Sequence, residues 1–247
     1  MPESFALVRL LNGLFMGVEV KAFQSIGLGA AEAAQRALKV NQALGLELLV
    51  VAGLIAFFAI VRMSLSVEKP NPAQQIAEMV HEFTGGQAEQ VIGHGYERFQ
   101  AFVTCIALFV VLNNLLGLIP GIETPTKLPE VPLGIAILTF IYYHYHGVRE
   151  QGPIGYLKHF AGPVWWISPL LFPIEIISHC ARVMSLTIRL YANMFASDLV
   201  TMVFFSLIPI GIPVLFLGLH FGVSLIQAYI FMLLSMIYLS GAVSHEH

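Results

Sequence analysis

The sequence predicts an all-α integral membrane protein with about five membrane helices. Hydrophobic residues make up 57% of the 247-residue chain and charged residues only 11%, and the mean hydropathy is +0.79. A soluble domain carries roughly 25% charged residues, so this chain has too few charges to cover a water-facing surface. Several apolar runs reach the length of about 20 residues that a membrane-spanning helix needs. The net charge of −3 and the absence of a basic patch argue against nucleic acid as a partner.

The first 43 residues predict amphipathic helical segments at the membrane surface. They mix apolar and polar residues, and their basic residues are spread along the segment instead of clustered: Arg9, Lys21, Arg36 and Lys39. Residues 44–247 are then expected to form the membrane bundle as a single unit.

Five apolar segments predict the membrane helices of that bundle. The first is apolar except for Glu47, the second ends at the helix-breaking pair Pro120–Gly121, and the third ends in YYHYHG. The fourth continues for about twice the length that a perpendicular helix needs, and the fifth follows the turn sequence LIPIGIP. The predicted spans lie near residues 44–64, 98–120, 131–147, 165–205 and 207–243.

The great length of the last two spans predicts a strongly tilted hairpin, because such a mismatch with the bilayer is absorbed by tilting or kinking. A further amphipathic stretch, residues 72–83, follows the loop signal KPNP and is expected at the membrane surface or docked on the bundle. The basic loop residues set the orientation by the positive-inside rule, which leaves the loop holding Lys127 and the N-terminal segment outside. The loop residues expected to face the cytoplasm are Arg62, Lys69, Arg98, Arg149 and Lys158.

Residues typical of catalysis or metal binding are sparse. Cys105 and Cys180 lie in apolar surroundings without CxxC spacing, which predicts buried free thiols. The pair His144 and His146 could bind a metal, but Tyr and His at the end of an apolar span are more typical of an interfacial belt. No Gly-rich phosphate loop, zinc motif or nucleophile elbow occurs in the sequence. The sequence therefore shows none of the catalytic motifs that would indicate an intramembrane enzyme.

Arg189 is the most unusual residue of the fourth span, in the stretch SLTIRLYANMFASDLV. A guanidinium stays protonated in proteins, and placing one inside a membrane costs at least about 2.5 kcal/mol. No carboxylate lies three or four residues from Arg189 to neutralise it. Its partner must therefore come from another helix, a ligand or another protein.

Helical periodicity places this arginine in a polar stripe. Residues seven apart differ by only about 20° around a helix, so Glu175, Arg182 and Arg189 share one face. Asp198 is nine residues from Arg189 and lies on roughly the opposite side. Further members of the stripe are Ser178, Ser185 and Asn193, and the last span carries a second stripe with His220, Ser224, Gln227 and Tyr238.

Two interpretations of these stripes remain open. Polar side chains can hold membrane helices together at about 0.6 kcal/mol per bond, and the serines fit that role as well as any other. Intramembrane charges instead usually mark ion paths or counter-ions. Glu175 with His179 at i+4, together with His220 on the neighbouring helix, favours a path for protons.

The same residues resemble one family, subunit a of the F-type ATP synthase. Its signature runs approximately P-x-S-L-x-x-R-L-F-G-N-M-x-A-G-E, and this chain has VMSLTIRLYANMFASD. The resemblance continues in LNNLLGLIP and in LIQAYIFMLLSMIYLSGAVSHEH and covers about residues 45–247. The sequence EVPLGIAILTF lacks the Asn-Thr pattern usual before the third span. Val183, Ala192, Ser197 and Asp198 replace the usual Pro, Gly, Gly and Glu.

The resemblance implies a partner for Arg189. In the family, a ring of small helical hairpins, the c subunits, turns past subunit a, and each hairpin carries one carboxylate in mid-membrane. Arg189 matches the essential arginine and would face that carboxylate in its ionised form. A fixed cation favours proton release from a desolvated carboxylate and would prevent direct leakage between two offset half-channels. The tilted hairpin would lie against the ring.

The resemblance also implies roles for six further residues. Three match a proton relay in the outer half-channel, two match polar residues that hold or flank the arginine, and one matches a position on the cytoplasmic side. The positions of the outer relay are matched by Glu175, Asp198 and His220. The positions that hold or flank the arginine are matched by Asn193 and Gln227, and the cytoplasmic-side position is matched by Ser185.

The expected protein is thus a non-catalytic stator subunit that conducts protons and drives rotation of the c-ring, coupled to ATP synthesis. Its implied partners are the c-ring, the peripheral-stalk b subunits, the rest of the complex and the lipid bilayer, with no cofactor or metal. A bacterial inner membrane is expected, with an organellar energy-transducing membrane as the alternative, and protons are expected over sodium. Rival classes are a secondary transporter, for which no internal repeat is visible, and a structural scaffold, which would not need Arg189.

Overall fold

A computed structural model describes residues 6–119, 122, 124–161, 166, 168–207 and 211–243. Within these residues the chain consists of seven α-helices and one short 3₁₀-helix, with no strand, so the predicted all-α class is confirmed. The helices are α1 Ala6–Ser25, α2 Ala30–Met63, α3 Pro72–Ile92, α4 Glu97–Leu116, the 3₁₀-helix Pro125–Lys127, α5 Glu130–Ala161, α6 Ser168–Leu207 and α7 Ile212–Val243.

Four of the described helices are long and apolar enough to cross a membrane, namely α2, α4, α6 and α7. The predicted third span, near 131–147, lies in α5, where the tyrosines and histidines of YYHYHG lower the hydropathy. Helix α5 packs against both α6 and α7, and its role as a fifth membrane helix remains a prediction. Gly152, with a φ of 73°, kinks α5 just before Pro153, and residue 158, expected in a loop, lies in the helical segment beyond this kink.

The N-terminal segment is not separate from the first predicted span. Helix α2 runs unbroken from Ala30 to Met63, so the expected boundary near residue 43 falls inside a helix. Helix α1 packs along α2, and Asn41 donates a hydrogen bond to Asn12 over 2.8 Å. Gly45 allows this approach, since a Cβ there would lie 3.0 Å from the Val8 side chain.

Helix α3 contains the amphipathic stretch 72–83, and it docks on the bundle. The hydroxyl groups of Thr84 and Thr104 lie 2.8 Å apart, and the Gln100 side chain donates to the His81 carbonyl over 2.7 Å. The Gln100 amide occupies the space in which a Cβ at Gly85 would stand. Of the two locations expected for this stretch, the structure has the docked one.

Helices α6 and α7 run antiparallel and form the predicted hairpin. At 1.5 Å per residue their 40 and 32 residues span about 60 and 48 Å, well beyond the hydrocarbon thickness of about 30 Å. The hairpin covers one side of the core, where α4, α5, α6 and α7 meet. Residue 165, where the fourth span was expected to start, and residues 208–210 of the turn lie outside the described residues. The core includes Ile106, Val110, Ile135, Leu186, Leu190, Met194 and Phe231.

The expectation that both cysteines are buried is wrong. Cys105 on α4 and Cys180 on α6 are free and exposed on the surface of the chain. An apolar sequence neighbourhood does not distinguish the core-facing side of a membrane helix from the side that faces lipid or another subunit, because both are apolar.

Candidate functional site

Arg189 lies in the middle of α6 and has no counter-ion among the described residues. Its guanidinium donates a long hydrogen bond of 3.5 Å to Ser185, one turn earlier on the same helix. The neighbouring Met184 and Ile188 are more than half exposed. This part of α6 therefore presents a permanent charge and apolar side chains to whatever lies outside the chain.

A hydrogen bond between the two hairpin helices lies one turn beyond this arginine. The Asn193 amide donates to the Gln227 carbonyl oxygen over 2.6 Å. Gln227 is buried, and the adjacent Leu190 and Met194 are inaccessible to solvent. The bond therefore joins α6 to α7 beside Arg189, at a point where the packing leaves little freedom.

Asp198 is the centre of a charged cluster nearer the end of α6. Its Oδ2 atom lies 3.5 Å from the Lys127 ammonium, and its Oδ1 atom lies 3.7 Å from Nδ1 of His220. The structure therefore brings together two of the three residues expected in the outer relay. Sequence reasoning missed Lys127 as a site residue, although it is the only basic residue between α4 and α5.

The buried face of α7 carries a row of polar atoms that lead from this cluster towards Asn193. His220, Ser224 and Gln227 are spaced at i, i+4 and i+7, and each is at least 99% buried. Each has a buried polar atom without a hydrogen-bond partner among the described residues: Nε2, Oγ and Nε2, respectively. Buried polar atoms almost always have a partner, and internal water supplies it where protein does not. The row therefore places three hydrogen-bonding groups along the buried face of α7.

A second polar cluster surrounds Glu175 near the start of α6. Nε2 of His179 lies 3.3 Å from the Glu175 carboxylate, and Nδ1 of His179 lies 2.9 Å from the Tyr143 hydroxyl of α5. Arg182 lines the same small cavity as Tyr143, and its guanidinium lies 5.3 Å from the ring centroid of Tyr238 on α7. The cluster thus joins three helices. Tyr238 belongs to the predicted stripe of the last span, whereas Tyr143 was not expected as a partner.

Tyr156 of α5 borders this second cluster. Burial raises the pKa of Tyr156 to about 12, so the phenol stays neutral and remains a hydrogen-bond donor at physiological pH. Its ring packs at Gly147, where a Cβ would lie 2.6 Å from the ring and 3.2 Å from the Ala242 carbonyl oxygen of α7. Gly147 therefore permits the close approach of α5 and α7 beside the cluster.

The structure does not bring Glu175 together with Asp198 and His220. Glu175 and Asp198 are 23 residues apart on one helix, a separation of about 35 Å at 1.5 Å per residue. Arg189 lies between them. The hairpin therefore has one titratable cluster towards each end, with a fixed cation and the Asn193–Gln227 bond between the two.

The YYHYHG motif packs as an aromatic cluster. Tyr142 stacks on Phe102 with ring centroids 3.5 Å apart, and His146 meets Phe99 edge-on at 5.0 Å. Nδ1 of His144 donates a 2.9 Å hydrogen bond to the Phe140 carbonyl oxygen, because a carbonyl can only accept. In the described residues no three His, Cys, Asp or Glu side chains are grouped as metal ligands.

Comparison with known proteins gives a consistent result. The sequence pattern of the family described as "ATP synthase A chain" matches residues 46–240. A protein named ATP synthase subunit a from Koribacter versatilis (strain Ellin345) is 52% identical over 247 residues, which is 100% of both chains. The protein of that name from Solibacter usitatus (strain Ellin6076) is 50% identical over 82% of this chain and 87% of its own. The chain therefore belongs to the ATP synthase subunit a family.

Proposed function

We propose that this chain is the proton-conducting stator subunit of an ATP synthase, with Arg189 as the charge that separates two proton routes. The supporting observation is the arrangement along the hairpin. Arg189 has no carboxylate partner in the described part of the chain and lies between two titratable clusters. At 1.5 Å per residue it is about 21 Å from Glu175 and about 14 Å from Asp198 along α6.

The outer route begins at Asp198 and His220. A proton taken up there passes along the buried face of α7, past the polar side chains of His220, Ser224 and Gln227, each of which has an atom without a hydrogen-bond partner among the described residues. It reaches a carboxylate of the c-ring opposite Asn193. Arg189 then holds the next ring carboxylate in its ionised form, because a nearby opposite charge favours ionisation, and the same charge repels protons from a direct crossing.

The inner route leaves Arg189 in the other direction. Ser185 lies one turn away on that side, followed by the cluster of Glu175, His179 and Tyr143. We assign Glu175 to this route and not to the outer relay expected from the sequence, because about 35 Å of helix separates it from Asp198. The cluster lies near the end of α5 that carries Arg149, on the side expected to face the cytoplasm.

The proposed partners follow from this role. The ring carboxylates belong to c subunits, and the peripheral-stalk b subunits would hold the chain against rotation. The chain itself carries out no ATP chemistry. As the relatives described above come from bacteria, we assign it to a bacterial inner membrane, with protons as the coupling ion.

Replacement of Arg189 tests the proposal. In reconstituted ATP synthase, Arg189→Ala is expected to abolish ATP-driven proton pumping and coupled ATP synthesis while the subunit stays in the membrane. Arg62→Ala, at an exposed arginine in the last turn of α2, is the matched control and should pump normally. Normal coupled pumping by Arg189→Ala would overturn the proposal.

A further inference from the structure

We propose that the cavity between α2 and α5 binds one acyl chain of an aminophospholipid, whose headgroup ammonium donates a hydrogen bond to Glu47. This α2–α5 cavity is lined by none of the residues assigned above to the proton routes. The inference therefore goes beyond the proposed function and does not depend on Arg189. The observations that carry it are the shape of the cavity, its apolar wall and one carboxyl group without a partner in the described part of the chain.

The wall of the α2–α5 cavity is almost entirely apolar. The cavity has a volume of about 760 Å³, within the range of about 300–1,000 Å³ that is usual for small-ligand sites. Helix α4 forms its floor, and the lining includes Val51 and Ile55 of α2, Phe109 of α4, and Ile135 and Leu138 of α5. Apolar cavities stay free of water and take up apolar ligands. The lining therefore favours a hydrocarbon ligand.

The shape of the cavity excludes a helix and admits a hydrocarbon chain. Along α2 the lining runs from Val40 to Phe58, a length of about 27 Å at the helical rise of 1.5 Å per residue. Spread over that length, the volume corresponds to a mean cross-section of about 28 Å² and a width of about 6 Å. A helix with its side chains is about 10–12 Å wide, whereas neighbouring carbon atoms pack at about 3.5–4.0 Å. A single acyl chain therefore fits this cavity, and a membrane helix of a partner does not.

Glu47 is the residue that requires the ligand to have a polar end. It lines the cavity and lies about one turn inside the predicted span that starts near residue 44. Its Oε1 atom is buried without a hydrogen-bond partner among the described residues, and no described cation pairs with it. An ionisable side chain inside a membrane normally has a partner. A carboxyl group accepts a hydrogen bond in its ionised and in its neutral form, so the matching group of the ligand is an N–H or O–H donor in either case.

The position of Glu47 along the cavity matches a lipid in one leaflet. From Glu47 to Phe58 the cavity extends for about 16.5 Å, close to half of the hydrocarbon thickness of about 30 Å. An acyl chain in this part places its headgroup at the level of Glu47.

The mouth of the cavity adds a cation to this carboxyl group. Arg36 lies one turn before Val40 on α2 and binds Glu130 through Nε and Nη2, which leaves Nη1 to donate to a phosphate. The guanidinium and the Glu47 carboxyl group together match a zwitterionic head that has an N–H donor. Phosphatidylethanolamine has such a head, whereas the quaternary ammonium of phosphatidylcholine has no N–H to donate.

The test compares these two lipids as photoactivatable probes with identical tails and a diazirine near the end of one tail. The complex is reconstituted in phosphatidylcholine vesicles with either probe at the same low mole fraction, and crosslinked peptides are quantified by mass spectrometry. At Phe58 and Leu138, near the inner end of the cavity, the phosphatidylethanolamine probe should give about tenfold more crosslinks, the ratio expected for one hydrogen bond from a charged donor. At Ile60 of α2, which is 59% exposed and outside the cavity, the two probes should crosslink equally. Equal yields at the cavity residues would overturn the inference, and so would an absence of crosslinks there, the result expected if a partner subunit or a second copy of the chain filled the cavity.

Two variants separate the carboxyl group from the cavity. Glu47→Leu removes the acceptor and suits the apolar wall, so the ratio between the probes should fall to about one. Gly134→Phe should remove the crosslinks of both probes at the cavity residues, because Gly134 lines the cavity and a Cβ there meets no atom within 4 Å. Gly86→Phe, at an exposed glycine of α3 with equally open space, is the matched control and should keep the wild-type pattern. A tenfold preference that persists in Glu47→Leu, or unchanged crosslinks in Gly134→Phe, would overturn the inference.

Discussion

Gly117→Ala tests the close packing that holds the outer cluster in place. Gly117 follows α4 with an ordinary helical φ of −66°, so alanine itself would be unstrained there. However, its Cβ would lie 1.8 Å from Oγ1 and 3.1 Å from Cβ of Thr124, and 3.3 Å from Nε2 of His220. Ordinary C···O contacts are about 3.3–3.6 Å, so Thr124 would have to retreat by about 1.5 Å.

The expected cost follows from that displacement. Thr124 is buried, and overpacking of a buried site costs about 1–3 kcal/mol. Replacing a helical glycine with alanine stabilises a protein by at most about 1 kcal/mol. This gain is smaller than the cost of overpacking, so the net effect on the free energy of unfolding is destabilising. Thr124 is three residues before Lys127. A shift of Thr124 that is passed on to Lys127 would lengthen the contact between Lys127 and Asp198. Since displacements of about 1 Å can cost a functional site two orders of magnitude, we expect outer proton flux to fall by about tenfold.

The assay is passive proton flux through reconstituted complexes, with thermal unfolding of the same preparations. Gly134→Ala on α5 is the matched control, because a Cβ there meets no atom within 4 Å. Gly117→Ala should unfold at a lower temperature than Gly134→Ala, by about 2–4 °C per kcal/mol for a chain of this size. If the two variants have equal flux and equal stability, the packing argument is refuted.

Two further predictions concern the second cluster and the titratable relay residues. Gly147→Ala should lower the thermal stability more than Gly134→Ala on the same helix, because its Cβ would overlap the Tyr156 ring and press on a backbone carbonyl of α7; equal melting temperatures would contradict this. Glu175→Gln and His220→Ala should each slow proton flux without abolishing coupled pumping, and wild-type flux in both variants would remove these residues from the routes.

Sequence periodicity predicted the faces of the long helices well. The seven-residue spacing groups Glu175, Arg182 and Arg189 on one helical face. All three residues lie on one continuous helix, as expected. Periodicity gives an angle around a helix but not a neighbour across the bundle. The Tyr143–His179 bond and the Asn193–Gln227 bond depend on how three helices pack, which no spacing within one helix reveals.

Loop residues were the least predictable part of the site. Lys127 lies in a short segment without hydrophobic periodicity, so its contact with Asp198 of α6 follows only from the fixed path of the chain between α4 and α5. The resemblance grouped Glu175 with Asp198 by function, whereas simple helical rise separates them by about 35 Å. The two cysteines were misplaced because apolar residues cover the outside of a membrane helix as well as its core-facing side.

The central claim is that the two clusters on the hairpin open to opposite sides of the membrane. It is tested most directly by single cysteines, introduced with Cys105→Ser and Cys180→Ser, and a membrane-impermeant thiol reagent added to one side of sealed vesicles. Ile119→Cys, at an exposed residue just after α4, should be labelled only from the outer side, and Ser178→Cys only from the cytoplasmic side. Labelling of both cysteines from the same side would contradict the account.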